Sequence, residues 1–323
     1  MKTKTSKANV FISFVKSLAG CLALAAAACS GAGGLEQAKA HYEAGVELQE
    51  SGQLAEAIAE YDKSIGLEPS VPSAYMNRGT AYKDLGQTER GIQDLDEALR
   101  LNPQFYQAYF NRASAYKDLG NRHRAIEDYD AAILLNQDFF QAYFNRAIAL
   151  DESGQNQKAV EDFGQALRLK LGDAEVLLNR GVAYSNLAEF DSAVEDFEEA
   201  AAADPSMVSA HMNLGRTYNR LGDYELALAS LSQAIRLTPE NPSAHLNKGI
   251  ANASLGNHQR AILDYGNALR LDSGYGLAYA NRALAYTAAD QDAEAQKDLD
   301  QAEILGLDRA ALQASIDEVK SRR

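Results

Sequence analysis

The sequence predicts an all-α solenoid of paired helices, and three observations carry that prediction. Two segments 34 residues apart are nearly alike, QFYQAYFNRASAYKDLG at 104–120 and DFFQAYFNRAIALDESG at 138–154. The same period runs without insertion or deletion through eight blocks covering 38–309 of the 323 residues. Each block also holds two stretches of helical apolar spacing around a turn residue, a unit that buries its apolar faces only by stacking on its neighbours.

Residues 1–28 stand outside the repeat. Lys2, Lys4, Lys7 and Lys16 meet no Asp or Glu there, and Ser17 to Ala28 read SLAGCLALAAAA. A basic start, a short apolar run and small residues before a break make a secretory signal. A membrane-spanning helix needs about 20 apolar residues, so this run is too short to be one. The small residues before Cys29 resemble the lipobox of bacterial lipoproteins, whose cysteine is lipidated and becomes the mature N-terminus. Leu18-Ala19-Gly20-Cys21 competes with it, but Lys16 stands where that box needs an apolar run. The resemblance implies a lipid on Cys29, a flexible tether over 29–37, and an exported protein on the periplasmic side of a bacterial envelope. Ser30, uncharged after the cysteine, is compatible with an outer membrane where one exists. Plain signal cleavage with two incidental cysteines, and an uncleaved anchor, are the alternatives.

Lys and Arg number 31 against 45 Asp and Glu, a net charge of −14. Setting aside the four lysines of residues 1–28 leaves 27 basic against 45 acidic residues, or −18. A body this acidic argues against nucleic acid and against direct binding of anionic membranes, which leaves the lipid as the membrane contact. Both cysteines precede residue 30, so the body holds no disulfide framework and no cysteine metal site.

The repeats are 38–71, 72–105, 106–139, 140–173, 174–207, 208–241, 242–275 and 276–309. Laid over one another, they give columns with a direct physical meaning. Position 8 is Gly or Ala in every repeat and position 20 is also small, which lets two helices approach closely. Position 27 is Ser64 once and Ala otherwise, and position 24 is always large, from Tyr61 to Leu299. Gly at position 15 in six repeats makes the turn. Helices are therefore expected over positions 1–14 and about 18–31, with Pro69, Pro103, Pro205 and Pro239 at position 32 stopping the second. Residues 310–323 read as a capping helix that Asp308 can start, with Lys320, Arg322 and Arg323 suited to its C-terminal dipole.

This pattern resembles the tetratricopeptide repeat family, whose signature has a large residue at 4, small residues at 8, 20 and 27, Tyr at 11 and Pro at 32. Tyr82, Tyr116, Tyr184, Tyr218 and Tyr286 supply position 11. The chain departs at position 4, where Tyr, His or Leu replaces Trp, and in repeat 8, with Asp290 for the turn glycine and Leu307 for the proline. The resemblance implies a right-handed superhelix whose first helices line a concave groove through positions 2, 5, 6, 9, 12 and 13.

Position 7, usually Leu in that family, is here Arg78, Arg112, Arg146, Arg180, Lys248 and Arg282. The same six repeats carry Asp94, Asp128, Asp162, Asp196, Asp264 and Asp298 at position 23. Repeat 6 changes both together, to Leu214 and Ser230, and only repeat 1, with Ala44 and Glu60, breaks the rule. In a hairpin turning at position 15 the two positions lie level, roughly 12 Å from the turn along each helix. They are expected to meet as ion pairs within each repeat; an anion-binding stripe is the other reading.

Asn recurs at position 6 as Asn77, Asn111, Asn145, Asn179, Asn213, Asn247 and Asn281, although Asn is a poor helix-interior residue. Its amide both donates and accepts, so such a row can bond the peptide units of an extended chain. Repeats 3 and 4 add Gln107, Phe110, Gln141 and Phe144 in register, the best anchor site the sequence offers. The two-carboxylate clamp of chaperone-binding relatives needs cations at positions 2, 5 and 6, where Lys39 stands alone. His41, His211 and His245 share position 4 and read as packing residues. No nucleophile with its base, phosphate loop or zinc spacing is present, so the expectation is no enzyme, no cofactor and no metal. The expected ligand is a protein or peptide, with cell-wall glycan or a second copy of the chain as alternatives.

The competing cysteines are separable by experiment. Metabolic labelling with an alkyne fatty acid should mark the wild-type protein and the Cys21→Ser variant but not Cys29→Ser. Labelling that survives Cys29→Ser would remove the lipid from that residue.

Overall fold

The computed structural model describes residues 32–322, and the signal segment with Cys21 and Cys29 lies outside them. Seventeen helices and no strand make up the described residues. The first helices of the repeats are Ala32–Glu50, Pro72–Asp84, Tyr106–Asp118, Phe140–Glu152, Ala174–Asn186, Val208–Leu221, Pro242–Ser254 and Gly276–Ala288. The second helices are Leu54–Leu67, Thr88–Leu101, Arg122–Leu135, Asn156–Leu169, Phe190–Ala203, Tyr224–Leu237, His258–Leu271 and Asp292–Ile304, and Arg309–Ser321 follows the last repeat. The described residues divide into two compact units, the first ending at Ala149 and the second beginning at Leu150. Within each unit the first helix of a repeat packs on its own second helix, and that second helix packs on the first helix of the next repeat. This is the all-α class of helix-turn-helix repeats that the period predicts.

The second helices begin at position 17, one residue before the expected start, while repeats 2 to 8 begin their first helices at position 1. Repeat 1 differs. Its first helix starts at Ala32, so Ala32 to Gln37, read as tether, are helical. No proline interrupts this stretch, and Leu35, Glu36, Gln37 and Ala38 are good helix formers.

The turn depends on one left-handed residue. Gly52, Gly86, Gly120, Gly154, Gly222 and Gly256, all at position 15, have φ between 74° and 89°. In repeat 2, Gly86 N–H donates to Lys83 O at 2.9 Å and Gln87 N–H to Tyr82 O at 2.8 Å, which satisfies the last carbonyls of the first helix. Repeats 5 and 8 keep the conformation without glycine, with Ala188 at φ 60° and Asp290 at φ 61°. At the other end of the hairpin, position 31 of repeats 1 to 7 is extended, with φ from −133° to −144°. Asn136, Lys170 and Asp272 adopt it with no proline following, so packing as well as proline ends these helices.

The core is the column pattern made solid. Every position-24 side chain is at most 1% exposed, and the alanines at position 27 are fully buried. The large side chain lies directly over position 8 of the first helix. A Cβ built on Gly181 would stand 2.6 Å from Phe197 Cε1, and one on Gly249 would stand 2.5 Å from Tyr265 Cε1. Repeat 2 has glycine at both close points, Gly79 and Gly91, and a Cβ on Gly91 would come within 2.6 Å of Gly79 O. Past repeat 8, Asp308 accepts from the N–H groups of Ala310 and Ala311, and Ile316 of the last helix joins Ala283 and Leu299 in a small core. That helix covers the apolar end of the stack.

Two substitutions in repeat 5 should act in opposite directions. Ala188→Gly removes a left-handed alanine and should raise stability by about 1 kcal/mol. Gly181→Ala pushes Phe197 aside and should lower it by roughly 1–3 kcal/mol, less than a backbone clash, because Ala113 shares a core cluster with Tyr129 at the same positions of repeat 3. Urea melts of the two variants would check both signs.

Candidate functional site

First helices of consecutive repeats meet along one row of polar contacts. In the first unit, Asn77 Nδ2 donates to the Tyr42 hydroxyl at 3.0 Å and Asn111 Nδ2 to Thr80 Oγ1 at 3.2 Å. Lys83 Nζ reaches Ser114 Oγ at 3.4 Å, and Lys117 Nζ donates to Asn145 Oδ1 at 3.3 Å. In the second unit, Asn186 Nδ2 donates to Asp151 at 3.2 Å and Asn219 Nδ2 to the Asn247 carbonyl at 2.9 Å. Positions 5, 6, 9 and 12 in the first unit, and 6, 12 and 13 in the second, therefore form an inner row.

Six of the seven asparagines of that row have Nδ2 engaged. Asn145, Asn179, Asn247 and Asn281 donate Nδ2 to the carbonyls of Gln141, Glu175, Ser243 and Leu277, four residues back in their own helices, at 2.7–2.8 Å. A short amide inside a helix lies within reach of that carbonyl. Asn77 is buried, and Asn213 is half-buried. With Nδ2 so engaged, the row offers mainly Oδ1 acceptors, which suit incoming N–H donors better than whole peptide units.

Gln107, Phe110, Asn111, Gln141, Phe144 and Asn145 are all half-buried and lie in the first unit, on two consecutive first helices. Phe110 is partly a packing residue, with its ring 5.0 Å from Phe139 and 5.7 Å from Tyr129. Phe144 stacks on Phe140 at 6.0 Å and 5°.

Position 7 is tied down. Arg78 donates through Nε and Nη2 to the two carboxylate oxygens of Asp94, both at 2.7 Å, and Arg112 treats Asp128 the same way. Arg180 and Arg282 make the same fork to Asp196 and Asp298 at 2.6–2.8 Å. Burial opposes the charge of Arg78 and Arg112, but the bonds and attraction from these carboxylates outweigh it and hold both pKa values above the usual arginine range. Tyr rings at positions 4 and 11 flank several of the guanidiniums, as Tyr279 and Tyr286 do for Arg282 at 5.6 and 5.7 Å.

The position-7 arginines of the first unit also have a second partner that the pairing of positions 7 and 23 does not predict. The remaining Nη1 of Arg78, Arg112 and Arg146 donates to Asp62, Asp96 and Asp130, each at 2.6 Å and each at position 25 of the preceding repeat. The signal was available, since position 25 is Asp in repeats 1, 2, 3 and 8. Asp162, in the second unit, is buried. Where position 7 changes, the repeat finds a substitute. Lys248 reaches only one oxygen of Asp264, at 3.1 Å, and Asn252, standing where five other repeats have Tyr, donates to the second at 2.7 Å. In repeat 1, Glu60 meets His41 Nδ1 at 2.6 Å, one turn before Ala44. Its pKa is lowered by the hydrogen bond from Lys63 and then by that from His41.

His211 and His245 each bring Nε2 to a proline carbonyl of the preceding repeat, Pro205 at 3.2 Å and Pro239 at 3.1 Å. Both therefore belong to the joints between repeats. Among the described residues no group of three or more His, Cys, Asp or Glu could hold a metal ion, and no helix is long and apolar enough to cross a membrane.

Comparison with known proteins defines the class. Models described as TPR repeat match residues 45–86 and 215–256, and models described as tetratricopeptide repeat match 72–105, 106–139 and 145–205. The chain carries tetratricopeptide repeats, which generally mediate contacts between proteins and are typically non-catalytic. No curated protein matches it. Among solved structures it is similar to the C-terminal part of a TPR repeat-containing protein from Cytophaga hutchinsonii, at 18% identity and TM-score 0.64, over 74% of this chain and 98% of that one. A tetratricopeptide repeat protein from Parabacteroides merdae gives 20% identity and TM-score 0.56, over 77% of this chain and 98% of that one. YrrB, described as a TPR protein with an unusual peptide-binding site, gives 20% and 0.52, over 57% and 95%. At these identities the likeness is one of fold.

The fork gives a direct test. Arg112→Ala strands the Asp128 carboxylate, whose side chain is 8% exposed, and should cost about 2–4 kcal/mol. Adding Asp128→Ala should return part of that loss, a coupling that a double-mutant cycle in urea would measure. Strictly additive costs would mean that the pair contributes nothing.

Proposed function

We propose that this protein is a non-enzymatic scaffold, held at the bacterial envelope by lipid on Cys29, that takes an extended segment of a protein partner along the inner row of its first helices. One observation carries the reading. On the first helices of repeats 3 and 4, the amides of Gln107, Asn111, Gln141 and Asn145 stand beside the half-buried rings of Phe110 and Phe144. Rings supply contact area, and amide oxygens accept the N–H groups that an extended backbone leaves unpaired. The repeat class, whose members generally bind proteins, supports the same direction. The place at the envelope rests on the N-terminal sequence.

A photo-crosslinking residue at Gln141, used in the native cell with mass spectrometry of the adducts, tests it. One dominant protein adduct is expected, and it should disappear when Phe144 and Asn145 become Ala. Leu134, 78% exposed on a second helix, is the control position. Adducts only to the chain itself would identify a self-filling oligomer. None above the control would move function off this row, and saturable binding of soluble cell-wall fragments that needs Phe144 would make the ligand a glycan.

A further inference from the structure

Charge is segregated in the second unit. The first helices of repeats 6, 7 and 8 contain Arg216, Arg220, Lys248 and Arg282 and no Asp or Glu, in a chain of net charge −14. Lys248 and Arg282 are committed to Asp264 and Asp298. Arg216 and Arg220 are exposed, and among the described residues no carboxylate lies within 4.0 Å of either. They follow Asn213 by three and seven residues, which puts all three on one face of the helix. Arg216 occupies position 9, where the neighbouring repeats place Val182, Ile250 and Leu284. The guanidinium of Arg220 lies over the Phe190 ring at 5.5 Å, which limits its freedom. Beside them, Asn219 spends Nδ2 on the Asn247 carbonyl, and its Oδ1 is buried without a partner.

We infer that Arg216 and Arg220 form a subsite for the side-chain carboxylates of an acidic, extended segment of a protein partner, laid along the first helices of repeats 5 to 7. The inference rests on the proposed use of the inner row and adds the chemistry of its ligand. A guanidinium presents a planar fork that matches a carboxylate, and Arg216 has no partner of its own. In a strongly acidic protein these two cations attract an acidic segment to one place while the remaining surface repels it, which fixes register more than it adds affinity. A nucleic acid needs a continuous basic track, which a chain of this charge does not offer.

Selection of random peptide segments on the full-length protein provides the test, with each segment displayed internally so that no free C-terminus is offered. Selected segments should share an Asp or Glu at a fixed spacing from an apolar residue. The variant with Arg216→Ala and Arg220→Ala should lose the acidic preference and keep the apolar one. It should bind a wild-type-selected segment more weakly, on the order of tenfold at low salt and less at high salt. Arg216→Glu with Arg220→Glu should select Lys or Arg instead. Because both side chains are exposed, the thermal melts should not move. Segments without an acidic preference, or a preference that survives the double substitution, would overturn the subsite and leave the inner row standing. No selected segment above bare resin would overturn both readings. A single-stranded oligonucleotide that binds as tightly as the selected segments, and is lost in the same variant, would assign the arginines to phosphate and overturn the proposal.

Discussion

The contact between position 24 and position 8 governs everything else in this chain. A ring or Leu on the second helix lies against a glycine or alanine on the first, with essentially no exposed surface on the large partner. That approach fixes how deeply each hairpin closes, and the depth sets which residues stand level across it. Position 7 then faces position 23, close enough for two parallel hydrogen bonds per pair. What the hairpin does not consume is the strip at positions 5, 6, 9, 12 and 13, which is left to join neighbours and to meet a ligand.

The position-7 arginine shows how a single charge can be placed within a largely apolar repeat. Its fork is filled by one carboxylate, its faces are covered by tyrosines, and in the first unit its last nitrogen is taken by the repeat before. Removing the charge requires removing its partner, as Leu214 with Ser230 does. Shortening the fork to an ammonium requires a new donor, which Asn252 supplies. Moving the partner back one turn goes with a longer acid, which is the arrangement of His41 and Glu60. These are separate answers to one rule: a partly buried carboxylate needs two good donors.

Much of this was legible in the sequence because an internal repeat supplies its own comparison. Small and large columns gave the hairpin, and the joint change at Leu214 and Ser230 pointed to the pairing of positions 7 and 23. Position 25 escaped because its partner lies in the neighbouring repeat, and because Gly164 and Gly266 interrupt the column. The asparagine row was legible in place but not in chemistry. Whether Nδ2 turns outward or back to its own helix depends on side-chain rotamers, which a residue pattern does not contain. Helix onset at Ala32 escaped because Gly33 and Gly34 read as breakers, although helix-favouring residues follow them.

Arginine bonds that cross from one repeat to the one before also bear on how the stack comes apart. In a linear array, stability is the sum of what each repeat contributes and what each junction contributes. In the first unit, Asp62 and Asp96 each tie a repeat to its successor through the same guanidinium that closes the successor's own hairpin, and Asp130 ties repeat 3 to Arg146. A hairpin that opens there surrenders its internal fork and its junction together, so neighbours lose order as a group. In the second unit, Gly164 and Gly266 stand at the corresponding position and offer Arg180 and Arg282 no such carboxylate. Opening one of those hairpins leaves the repeat before it with fewer broken bonds, so disorder is more easily confined to single repeats. Cooperativity, in this chain, is written into one column.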